Sequence, residues 1–448
     1  MILPRKALER VSRASRIGYT ALCVWLRVQI PTRWDRARGR DPGARDWSRI
    51  HQRNADQIYR TATRLRGLLI KVCQVAGTRS DVFPPEYVRT LSKAQDRVPP
   101  RPFEVVRAVV ERELEKPLDA VFASFEPAPL ASASLAPVHR ARMRDGREVA
   151  VKVQYPDIEH IVRTDLASLR RICRIYERLD PQPLALLPLL DELQSHLSLE
   201  LDFRREAQNA DRIRALFAKD ARVVIPEIDP AHSTGRVITM ELVSGIKVND
   251  KDALVAAGID PREVVQALTG LWTQMIMAYG FFHADPHPGN VFVQPGPRKA
   301  RSAPRSEPQA SVEPVFVIVD FGLAKQLPRG FGLGLFELMF SMMTQNEAAM
   351  VRAFQELGFR TKTGGTEPYL LIARRMLGAS EDGTFRGDFT EEVTDELMET
   401  IRTNPIVEVP SDFVLVARVF ALLSGIAHTL GGRADVLDSL GGGNAARG

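Results

Sequence analysis

The sequence predicts an α+β fold in which a small β-sheet in the first half of the chain precedes a mostly helical second half. Residues 138–143 and 148–153 alternate as strands do on either side of Asp145-Gly146. This dipeptide favours a tight hairpin turn between two strands. From residue 331 to about 431 the pattern is helical instead. With 448 residues, 44% of them hydrophobic, the chain is long enough for one two-lobed protein with extensions or for two to three average domains.

The other elements follow from the same two periodicities. Helices are expected at residues 46–77, 86–94, 103–115, 158–179, 186–217 and 261–280, and strands at residues 223–228 and 236–242. Residues 295–314 are rich in Pro, Ser, Ala and basic residues, and this composition predicts a disordered insertion.

Two polar motifs in the second half of the chain carry the strongest functional signal. Residues 283–290 read His-Ala-Asp-Pro-His-Pro-Gly-Asn, and an Asp-Phe-Gly tripeptide at 320–322 follows an apolar run. In protein kinases, a catalytic-loop Asp and an Asn five residues later precede the Asp of a DFG motif, and the Asn and the second Asp bind Mg²⁺ on ATP. Asp285 and Asn290 keep this spacing. Asp285 is therefore the candidate catalytic residue, which would accept or steer the proton of the acceptor hydroxyl, and Asn290 and Asp320 are the candidate Mg²⁺ ligands.

A lysine and a loop upstream complete the pattern of a nucleotide site. Lys152 ends the strand-like run Val-Ala-Val-Lys and would neutralise ATP phosphates. A helix glutamate should orient this lysine, and Glu200 and Glu206 are the candidates. These parts in this order predict a two-lobed protein-kinase-like fold, with a small β-sheet and helices in the N-lobe and a mostly helical C-lobe. Further candidate nucleotide contacts are Ala131, Ser132, Ala133 and Ser134, where a glycine-rich loop would lie, and Met240, Glu241 and Leu242, at a strand end that fits an adenine-binding hinge.

Two other functions fit single motifs less completely. His283, Asp285 and His287 could instead form a metal cluster of the hydrolase type. A third ligand group is hard to nominate, and this hypothesis leaves Lys152 and Asp320 unexplained. A conventional protein kinase is disfavoured because the catalytic loop lacks the Arg of His-Arg-Asp. The chain also re-enters helix soon after the Asp-Phe-Gly tripeptide, which leaves no room for an activation segment.

Together these motifs resemble the UbiB/AarF family of atypical protein-kinase-like proteins. The resemblance rests on the alanine-rich loop, the motif at 283–290, a Glu-x-Asp at Glu200 and Asp202, and Lys-Val-Cys-Gln at residues 71–74. It implies a protein that binds ATP with Mg²⁺, associates with membranes and supports ubiquinone or other prenyl-lipid metabolism. Quinone-biosynthesis proteins are the protein partners that it implies.

The resemblance also assigns roles outside the phosphate and metal sites. Lys71 and Gln74 would belong to a K-x-G-Q segment that folds over the active site, and Glu200 and Asp202 would engage this segment. Glu206 would be the partner of the phosphate-binding lysine.

Two residues depart from the family pattern. Cys73 stands in the glycine slot of K-x-G-Q, and Pro137 stands where the family usually has Gln. A proline removes one hydrogen-bond donor from a strand. Neither departure involves a candidate phosphate or metal residue.

Charge and cysteine content bear on location and partners. The net charge is +6, and basic residues are concentrated in residues 1–40, which suggests an acidic surface of lipid headgroups as partner. The sequence lacks the interleaving of aromatic and basic residues that would favour nucleic-acid binding. Three scattered cysteines favour a reducing compartment. Residues 413–430 are interrupted by Arg418 and His428, which favours a core helix over a membrane span.

These observations predict four segments and one leading function. The segments are a basic extension at 1–45 that contacts membranes, a helical extension at 46–102, a kinase-like N-lobe at 103–242 and a kinase-like C-lobe at 243–448. The leading function is an ATP-dependent kinase or ATPase acting on or for small molecules or lipids, located in the cytoplasm and attached peripherally to the inner face of the membrane. The alternative is a non-catalytic nucleotide-binding regulator, a pseudokinase that scaffolds a biosynthetic complex.

Overall fold

The chain divides into two compact units. A computed structural model describes residues 5–77, 83–95, 101–132, 136–179, 187, 190–191, 194, 201–298, 312–378 and 403–432. The first unit comprises Met1–Arg205 and Ile228–Leu242, and the second comprises Glu206–Glu227 and Val243–Gly448. The finer division into four segments remains a prediction.

The helices of the first unit begin with α1 (Arg5–Ala37), which occupies the basic N-terminal region. They continue with α2 (Ser48–Leu65), α3 (Leu68–Ala76), α4 (Pro85–Leu91), α5 (Phe103–Leu114), α6 (Leu118–Val121) and α7 (Ile158–Leu179). Between α2 and α3, Arg66 and Gly67 have φ values of 58° and 63°. Backbone in this left-handed region cannot continue a right-handed helix, so the helix predicted at 46–77 is two helices.

An antiparallel sheet forms the centre of the first unit. Its strands are β1 (Phe122–Ser132), β2 (Pro137–Met143), β3 (Glu148–Val153) and β5 (Val237–Glu241), in that order, while the short β4 (Val223–Val224) belongs to the second unit. The predicted hairpin joins β2 to β3, and Gly146 in its turn has a φ of 92°, which side chains disfavour. Lys152 of β3 pairs with Val138 of β2 and with Ile238 of β5. The sheet therefore fixes the backbone of Lys152 from both sides.

Strand β1 was not predicted from the sequence. It contains Pro127 and Pro129, which lack the N–H that a strand interior normally donates. The structure accommodates them because the register with β2 shifts between Phe125 and Pro129, so the prolines lie at an irregularity of the ladder. The alanine-rich loop also starts later than predicted. Ala131 and Ser132 still pair with β2, whereas Ala133 and Ser134 lie outside the described residues.

Pro137 is the first residue of β2 and pairs with the last residue of β1. A proline is well tolerated at the start of a strand, where one missing donor interrupts the ladder least. The departure at Pro137 therefore leaves the sheet in place.

The second unit begins within α8 (Phe203–Leu216) and contains a second sheet. The order of its strands is β4, β9 (Val312–Ile318), β8 (Val291–Arg298) and β6 (Ile246–Lys247). The strand predicted at 223–228 ends at Val224, and Pro226 follows closely. Without an N–H, a proline cannot extend the ladder.

The prediction of a disordered insertion at 295–314 is wrong at both of its ends. Strand β8 continues to Arg298, and β9 begins at Val312. Pro295 pairs with Pro314 across the two strands. The hairpin tolerates this pair because the register shifts immediately beyond it. Residues 299–311 lie outside the described part of the chain.

The remaining elements of the second unit are mainly helical. They are α9 (Lys251–Ala256), α10 (Pro261–Thr273) with a π-helical extension (Gln274–Tyr279), β7 (Phe281–His283), β10 (Ala324–Gln326), α11 (Phe331–Met343), α12 (Glu347–Leu357), β11 (Arg360–Thr361), α13 (Glu367–Gly378), β12 (Ile406–Glu408) and α14 (Ser411–Leu430). The helix predicted at 261–280 ends at Gly280, whose φ is 61°. The turn at Gly280 directs the chain into β7 and the predicted catalytic loop.

Helix α14 is long and apolar enough to cross a membrane, and it alone passes that test among the described helices. One third of its most apolar window (33%) is buried within the protein. Val419 and Leu423 are almost fully enclosed. Length and composition alone do not distinguish a membrane span from a core helix of this kind.

Candidate nucleotide and metal site

The predicted catalytic loop and the Asp-Phe-Gly segment are joined by backbone hydrogen bonds. Strands β7 and β10 pair antiparallel, with His283 opposite Ala324. Beyond this pair, the N–H of Ala284 donates to the carbonyl oxygen of Leu323 at 2.7 Å. The segments that carry Asp285 and Asp320 are therefore held side by side, although Asp320 follows Asp285 by thirty-five positions in the sequence.

His283 locks these two segments together with its side chain. Its ring is fully buried, lies edge-on to Trp272 and Phe321, and uses both nitrogens. Nδ1 accepts a hydrogen bond from the N–H of Asp285 at 3.2 Å, so Nε2 carries the proton and donates to the carbonyl oxygen of Asp320 at 2.8 Å. Neither nitrogen remains for a metal ion.

This arrangement argues against the hydrolase-type metal cluster. Of its three members, His283 is committed to structural hydrogen bonds. Nδ1 of His287 accepts from the N–H of Gly289 at 3.1 Å. Within the described parts of the chain, no group of three or more His, Cys, Asp or Glu side chains is placed to share a metal ion.

Asn290 is fixed by hydrogen bonds from both its backbone and its side chain. Its Nδ2 donates to the backbone oxygen of Asp285 at 3.2 Å and to Asp285 Oδ2 at 3.3 Å. Its backbone carbonyl oxygen accepts from the N–H of Val319 at 2.9 Å, and Val319 is the residue immediately before Asp320. Because Nδ2 faces Asp285, the amide oxygen of Asn290 points the other way and can serve as a metal ligand.

Asp320 has an uncommon backbone conformation. Its φ and ψ are 63° and 76°, in the left-handed region, and it begins a single turn of 3₁₀ helix at Phe321–Leu323. A non-glycine residue held there costs on the order of 1 kcal/mol, and such strain is concentrated at functional sites. The carboxylate of Asp320 and the amide oxygen of Asn290 are hard oxygen donors, which Mg²⁺ prefers. The donor set therefore fits the predicted metal.

A cation from the C-terminal helix contacts the predicted catalytic aspartate. Nη2 of Arg418, on α14, lies 3.5 Å from Asp285 Oδ1. Close to the start of the same helix, Asp412 pairs with Nζ of Lys325, on β10, at 2.9 Å. Sequence reasoning missed the role of Arg418, although a cation in an otherwise apolar helix was the available signal.

Helix α8 also contacts the Asp-Phe-Gly segment and the strand before the predicted catalytic loop. Glu206, on this helix, is buried, with 3% exposure. One turn later, Nδ2 of Asn209 donates to the carbonyl oxygen of Phe321 at 3.0 Å. After a further turn, the guanidinium of Arg212 lies 3.8 Å from the ring centroid of Phe281.

The predicted phosphate and adenine residues of the first unit lie on neighbouring strands. Lys152, on β3, is buried with 8% exposure, and its Nζ lies 5.3 Å from the ring centroid of Phe203. Met240 is buried near the end of β5, and Glu241 at its end is exposed. The N–H of Leu242 donates to the carbonyl oxygen of Glu148 at 3.2 Å. The backbone amide of Leu242 is therefore already engaged with β3.

Comparison with known proteins decides the family. A sequence model of the ABC1 atypical kinase-like domain matches residues 93–354, more than half of the chain. The chain belongs to the ABC1/AarF family of atypical kinase-like proteins. AarF domain-containing protein kinase 1 of Xenopus laevis is 32% identical to it over 394 residues, covering 86% of this chain and 72% of that protein.

Other relatives extend the comparison. Protein ACTIVITY OF BC1 COMPLEX KINASE 3, chloroplastic, of Arabidopsis thaliana is 30% identical over 378 residues, covering 84% of this chain and 51% of that protein. A solved structure, of the Mycobacterium tuberculosis protein Rv3197 in complex with erythromycin, matches with a TM-score of 0.57 and 23% identity. The match covers 87% of this chain and 95% of that one. It supports the two-lobed, kinase-like α+β fold predicted from the sequence.

The K-x-G-Q-like segment of this ABC1/AarF chain is helix α3. Gln74 donates from Nε2 to the carbonyl oxygen of Ala94 at 3.2 Å, and Lys71 is half-buried. Cys73 is 1% exposed and packs in an apolar cluster with Ile70. Burial raises the pKa of its thiol to about 12, so Cys73 is an unreactive core residue.

The structure describes only one of the two acidic residues of the predicted Glu-x-Asp. Asp202 precedes α8, is exposed, and accepts from the N–H of Arg204 at 3.2 Å. Glu200 lies outside the described residues. The contact of Lys71 with Glu200 therefore remains a prediction from the family pattern.

Proposed function

We propose that this ABC1/AarF protein binds ATP with Mg²⁺ and transfers or hydrolyses the γ-phosphoryl group, as an atypical kinase or ATPase in isoprenoid-quinone or other membrane lipid metabolism. The observation that carries the proposal is the joint fixation of Asp285, Asn290 and Asp320 by His283 and by the Val319–Asn290 hydrogen bond. Phosphoryl transfer depends on positioned charges more than on covalent chemistry. Three oxygen-bearing residues whose backbones are held in place in this way meet that requirement.

Each candidate residue has a distinct role in this proposal. Bound Mg²⁺ supplies charge neutralisation at the phosphates, and Asn290 and Asp320 hold it through oxygen atoms. Lys152 binds phosphate oxygens with its ammonium group. Asp285 accepts the proton of the attacking hydroxyl or water, and the guanidinium of Arg418 holds the carboxylate in position.

A small or lipid-soluble acceptor fits this chain better than a peptide. In protein kinases, peptide recognition uses an activation segment after the Asp-Phe-Gly. Here the chain passes from Asp320 through β10 directly into α11, which begins at Phe331. The N–H of Leu327 is also bonded to the carbonyl oxygen of Gly280 at 2.8 Å, so this short connection is held against β7.

The proposed location is the inner face of the cytoplasmic membrane. Support comes from the basic α1, which exposes aromatic and apolar side chains together with arginines. A membrane position would bring the site to hydrophobic acceptors such as quinone precursors, and quinone-biosynthesis proteins are the proposed protein partners.

One observation favours a second function, that of a non-catalytic nucleotide-binding regulator. Both carboxylate oxygens of Asp285 are already in contact, Oδ1 with Arg418 and Oδ2 with Asn290. Each carboxylate oxygen has a second lone pair, so a proton can be accepted only from the side that these contacts leave open. Nucleotide binding without turnover would follow if that side is closed to the acceptor.

Phosphate release from Mg²⁺-ATP by the full chain separates these functions. The rate is measured alone, with vesicles of anionic lipid, and with such vesicles containing a polyprenyl phenol as acceptor. Release that requires Asp285 supports an ATPase, and transfer of labelled phosphate into the lipid extract supports a kinase. Nucleotide binding with neither phosphate release nor transfer to lipid under any condition supports the regulator. Absence of Mg²⁺-dependent nucleotide binding would overturn both proposals.

A further inference from the structure

Asn209 connects helix α8 to the Asp-Phe-Gly segment through a buried hydrogen bond. Its side chain is 9% exposed, and Nδ2 donates to the carbonyl oxygen of Phe321 at 3.0 Å. Only the amide nitrogen can donate to a carbonyl oxygen, so this contact also fixes the orientation of the amide. Asn209 follows Glu206 by one helical turn, and both side chains therefore lie along one side of α8.

The accepting carbonyl belongs to Phe321, the residue immediately after Asp320. The preceding carbonyl, that of Asp320 itself, accepts from Nε2 of His283 at 2.8 Å. Two buried side chains thus hold the two consecutive peptide groups that follow Asp320. On the other side of Asp320, the N–H of Val319 is also hydrogen-bonded. Since φ and ψ of Asp320 are in the left-handed region, its backbone would relax towards commoner conformations if one of these contacts were lost.

A second contact on the same side of α8 strengthens the connection. The guanidinium of Arg212 lies over the ring of Phe281, and Nη2 donates to Oε1 of Gln326. Phe281 and Gln326 are paired residues of β7 and β10. Helix α8 therefore contacts the strand before the catalytic loop and the strand after the Asp-Phe-Gly segment.

We propose that Asn209 is a positioning residue that sets the direction of the Asp320 carboxylate, and that it holds α8 and the metal-binding segment as one body. In protein kinases, the helix that carries the lysine-binding glutamate changes position when the enzyme is switched on. In this chain, Asn209 and Arg212 join the helix that carries Glu206 to the metal-binding segment. The effect of Asn209 on Mg²⁺ binding rests on the proposed function, whereas its effect on the conformation of Asp320 does not.

If Asn209 only satisfied a buried carbonyl oxygen, a different experimental result would be expected. Loss of such a hydrogen bond lowers stability, because a buried unpaired carbonyl is unfavourable, but it acts on metal-free and metal-bound nucleotide alike. A positioning role predicts a selective loss of the Mg²⁺-dependent part of nucleotide affinity. Measurement of both affinities therefore separates the two roles.

The test compares Asn209→Leu with Gln208→Leu in the full chain. Both variants replace an amide by leucine on α8, but Gln208 is exposed. Hydrogen–deuterium exchange of residues 317–326 is measured without nucleotide, and ATP affinity is measured by calorimetry with excess EDTA and with Mg²⁺. Asn209→Leu is expected to increase exchange in this segment and to lower the Mg²⁺-dependent gain in ATP affinity about tenfold. Gln208→Leu is expected to change neither quantity.

The outcomes keep the inference separate from the proposed function. Unchanged exchange at 317–326 in Asn209→Leu, or an equal loss of both affinities, would overturn the positioning role. If the unmodified protein shows no Mg²⁺-dependent ATP binding, the proposed function fails, and the exchange comparison still decides whether Asn209 holds Asp320. Should Asn209→Leu not fold, Asn209→Ala leaves room for a bridging water and is expected to change both readouts in the same direction by a smaller amount.

Discussion

Arg418 and Asp285 form an ion pair between the apolar C-terminal helix and the catalytic loop, with Nη2 and Oδ1 3.5 Å apart. Both side chains remain partly accessible, at 38% and 25%. Ala284 occupies the position at which protein kinases carry the arginine of His-Arg-Asp. The cation that contacts this aspartate therefore comes from the C-terminal helix.

Replacing Arg418 should slow turnover without weakening nucleotide binding. A partly exposed ion pair contributes on the order of 1 kcal/mol, so Arg418→Gln is expected to lower kcat about fivefold. Arg418→Lys retains the charge and should have a smaller effect. The kcat for phosphate release and the Kd for Mg²⁺-ATP are measured for each variant.

Asp285→Asn provides the control for this prediction. This variant should bind Mg²⁺-ATP but lose turnover, and adding Arg418→Gln to it should have no further effect, because both changes act through one carboxylate. A drop in Mg²⁺-ATP affinity for Arg418→Gln would show instead that Arg418 supports the fold of the binding site.

Asp320→Asn should remove Mg²⁺-dependent nucleotide binding and leave the fold intact. Asparagine tolerates the left-handed backbone as well as aspartate does, so the local conformation should persist. The loss of a carboxylate ligand is expected to lower Mg²⁺ affinity by at least about tenfold. Titration of Mg²⁺ into the protein with bound ATP measures the change, and circular dichroism tests the fold.

Glu337→Gln is a matched control, since it removes one exposed carboxylate from α11 of the same unit. It should leave the Mg²⁺ titration unchanged. Equal Mg²⁺ affinities in Asp320→Asn and the unmodified protein would count against Asp320 as a metal ligand.

Sequence patterns predicted the elements whose signals are local. The Asp145-Gly146 turn and the alternation around it identified β2 and β3 with accurate ends. Strand β1 was missed because its prolines are normally excluded from strands, and an irregular register that depends on the partner strand admits them. Residues 295–298 were likewise missed as part of a strand, because Pro295 is normally excluded from strands.

The sequence nominates candidate site residues where motif spacing is characteristic. Asp285, Asn290 and Asp320 were nominated in this way, and their roles remain predictions. Arg418 and Asn209 were not nominated, because a single arginine or asparagine within a helix has no characteristic spacing. Their contacts arise from tertiary packing, which one sequence does not reveal.

A buried ion pair connects α1 to the rest of the first unit. Nε and Nη2 of Arg13 bond to both oxygens of Asp165, at 3.1 and 2.6 Å, and Nη1 bonds to the carbonyl oxygen of Leu65 at 2.6 Å. The side chain of Asp165 is fully enclosed. Burial raises the pKa of Asp165 more than Arg13 lowers it.

Removing only one partner of this pair should be strongly destabilising. Arg13→Leu leaves a buried carboxylate without its counter-charge and is expected to lower the free energy of unfolding by about 3–5 kcal/mol. Arg13→Leu combined with Asp165→Leu should recover much of this loss, whereas Arg16→Leu, at an exposed position of α1, should have little effect. Denaturant unfolding measures all four proteins. Equal stability of Arg13→Leu and Arg16→Leu would contradict a role for the pair.

The defect of Arg13→Leu should also diminish at acidic pH. Because the pKa of Asp165 is raised in the folded protein, the folded state binds a proton before the unfolded chain does. The stabilisation from this proton is complete below the unfolded pKa, about 3.9, and is lost as pH rises through the raised folded pKa. Arg13 lowers this pKa in the unmodified protein, so the pKa of Asp165 is higher still in Arg13→Leu, which gains more stability from the proton. The gap in unfolding free energy between Arg13→Leu and the unmodified protein is therefore expected to narrow as pH falls from 7 towards the unfolded pKa. A gap that widens on acidification would refute this account.

Helix α1 presents an apolar face to solvent, consisting of Tyr19, Leu22, Ile30 and Trp34, each more than half exposed. At 100° per residue these side chains lie within about 120° of one another around the helix axis. Arginines accompany them, and Arg16, Arg33, Arg36, Arg38 and Arg40 are exposed. Asp35, the acidic residue within 11–40, is buried and bonded to Arg45 at 2.6 and 2.8 Å. Between residues 11 and 40, the α1 face is therefore apolar and accompanied by exposed positive charge, as a helix at an anionic membrane surface should be.

We expect the full chain to bind vesicles that contain phosphatidylglycerol and to bind neutral vesicles weakly. Each arginine near an anionic surface contributes about 1 kcal/mol, so Arg33→Gln with Arg36→Gln should weaken binding about thirtyfold at low salt. Tyr19→Ser with Trp34→Ser should weaken the salt-resistant part, because aromatic side chains insert at the interface. Arg112→Gln with Arg204→Gln removes the same charge from exposed positions on α5 and α8 and should cause little loss. Co-sedimentation at low and high salt measures binding, and equal losses in the two double-arginine variants would show that net charge, rather than the α1 face, attracts the membrane.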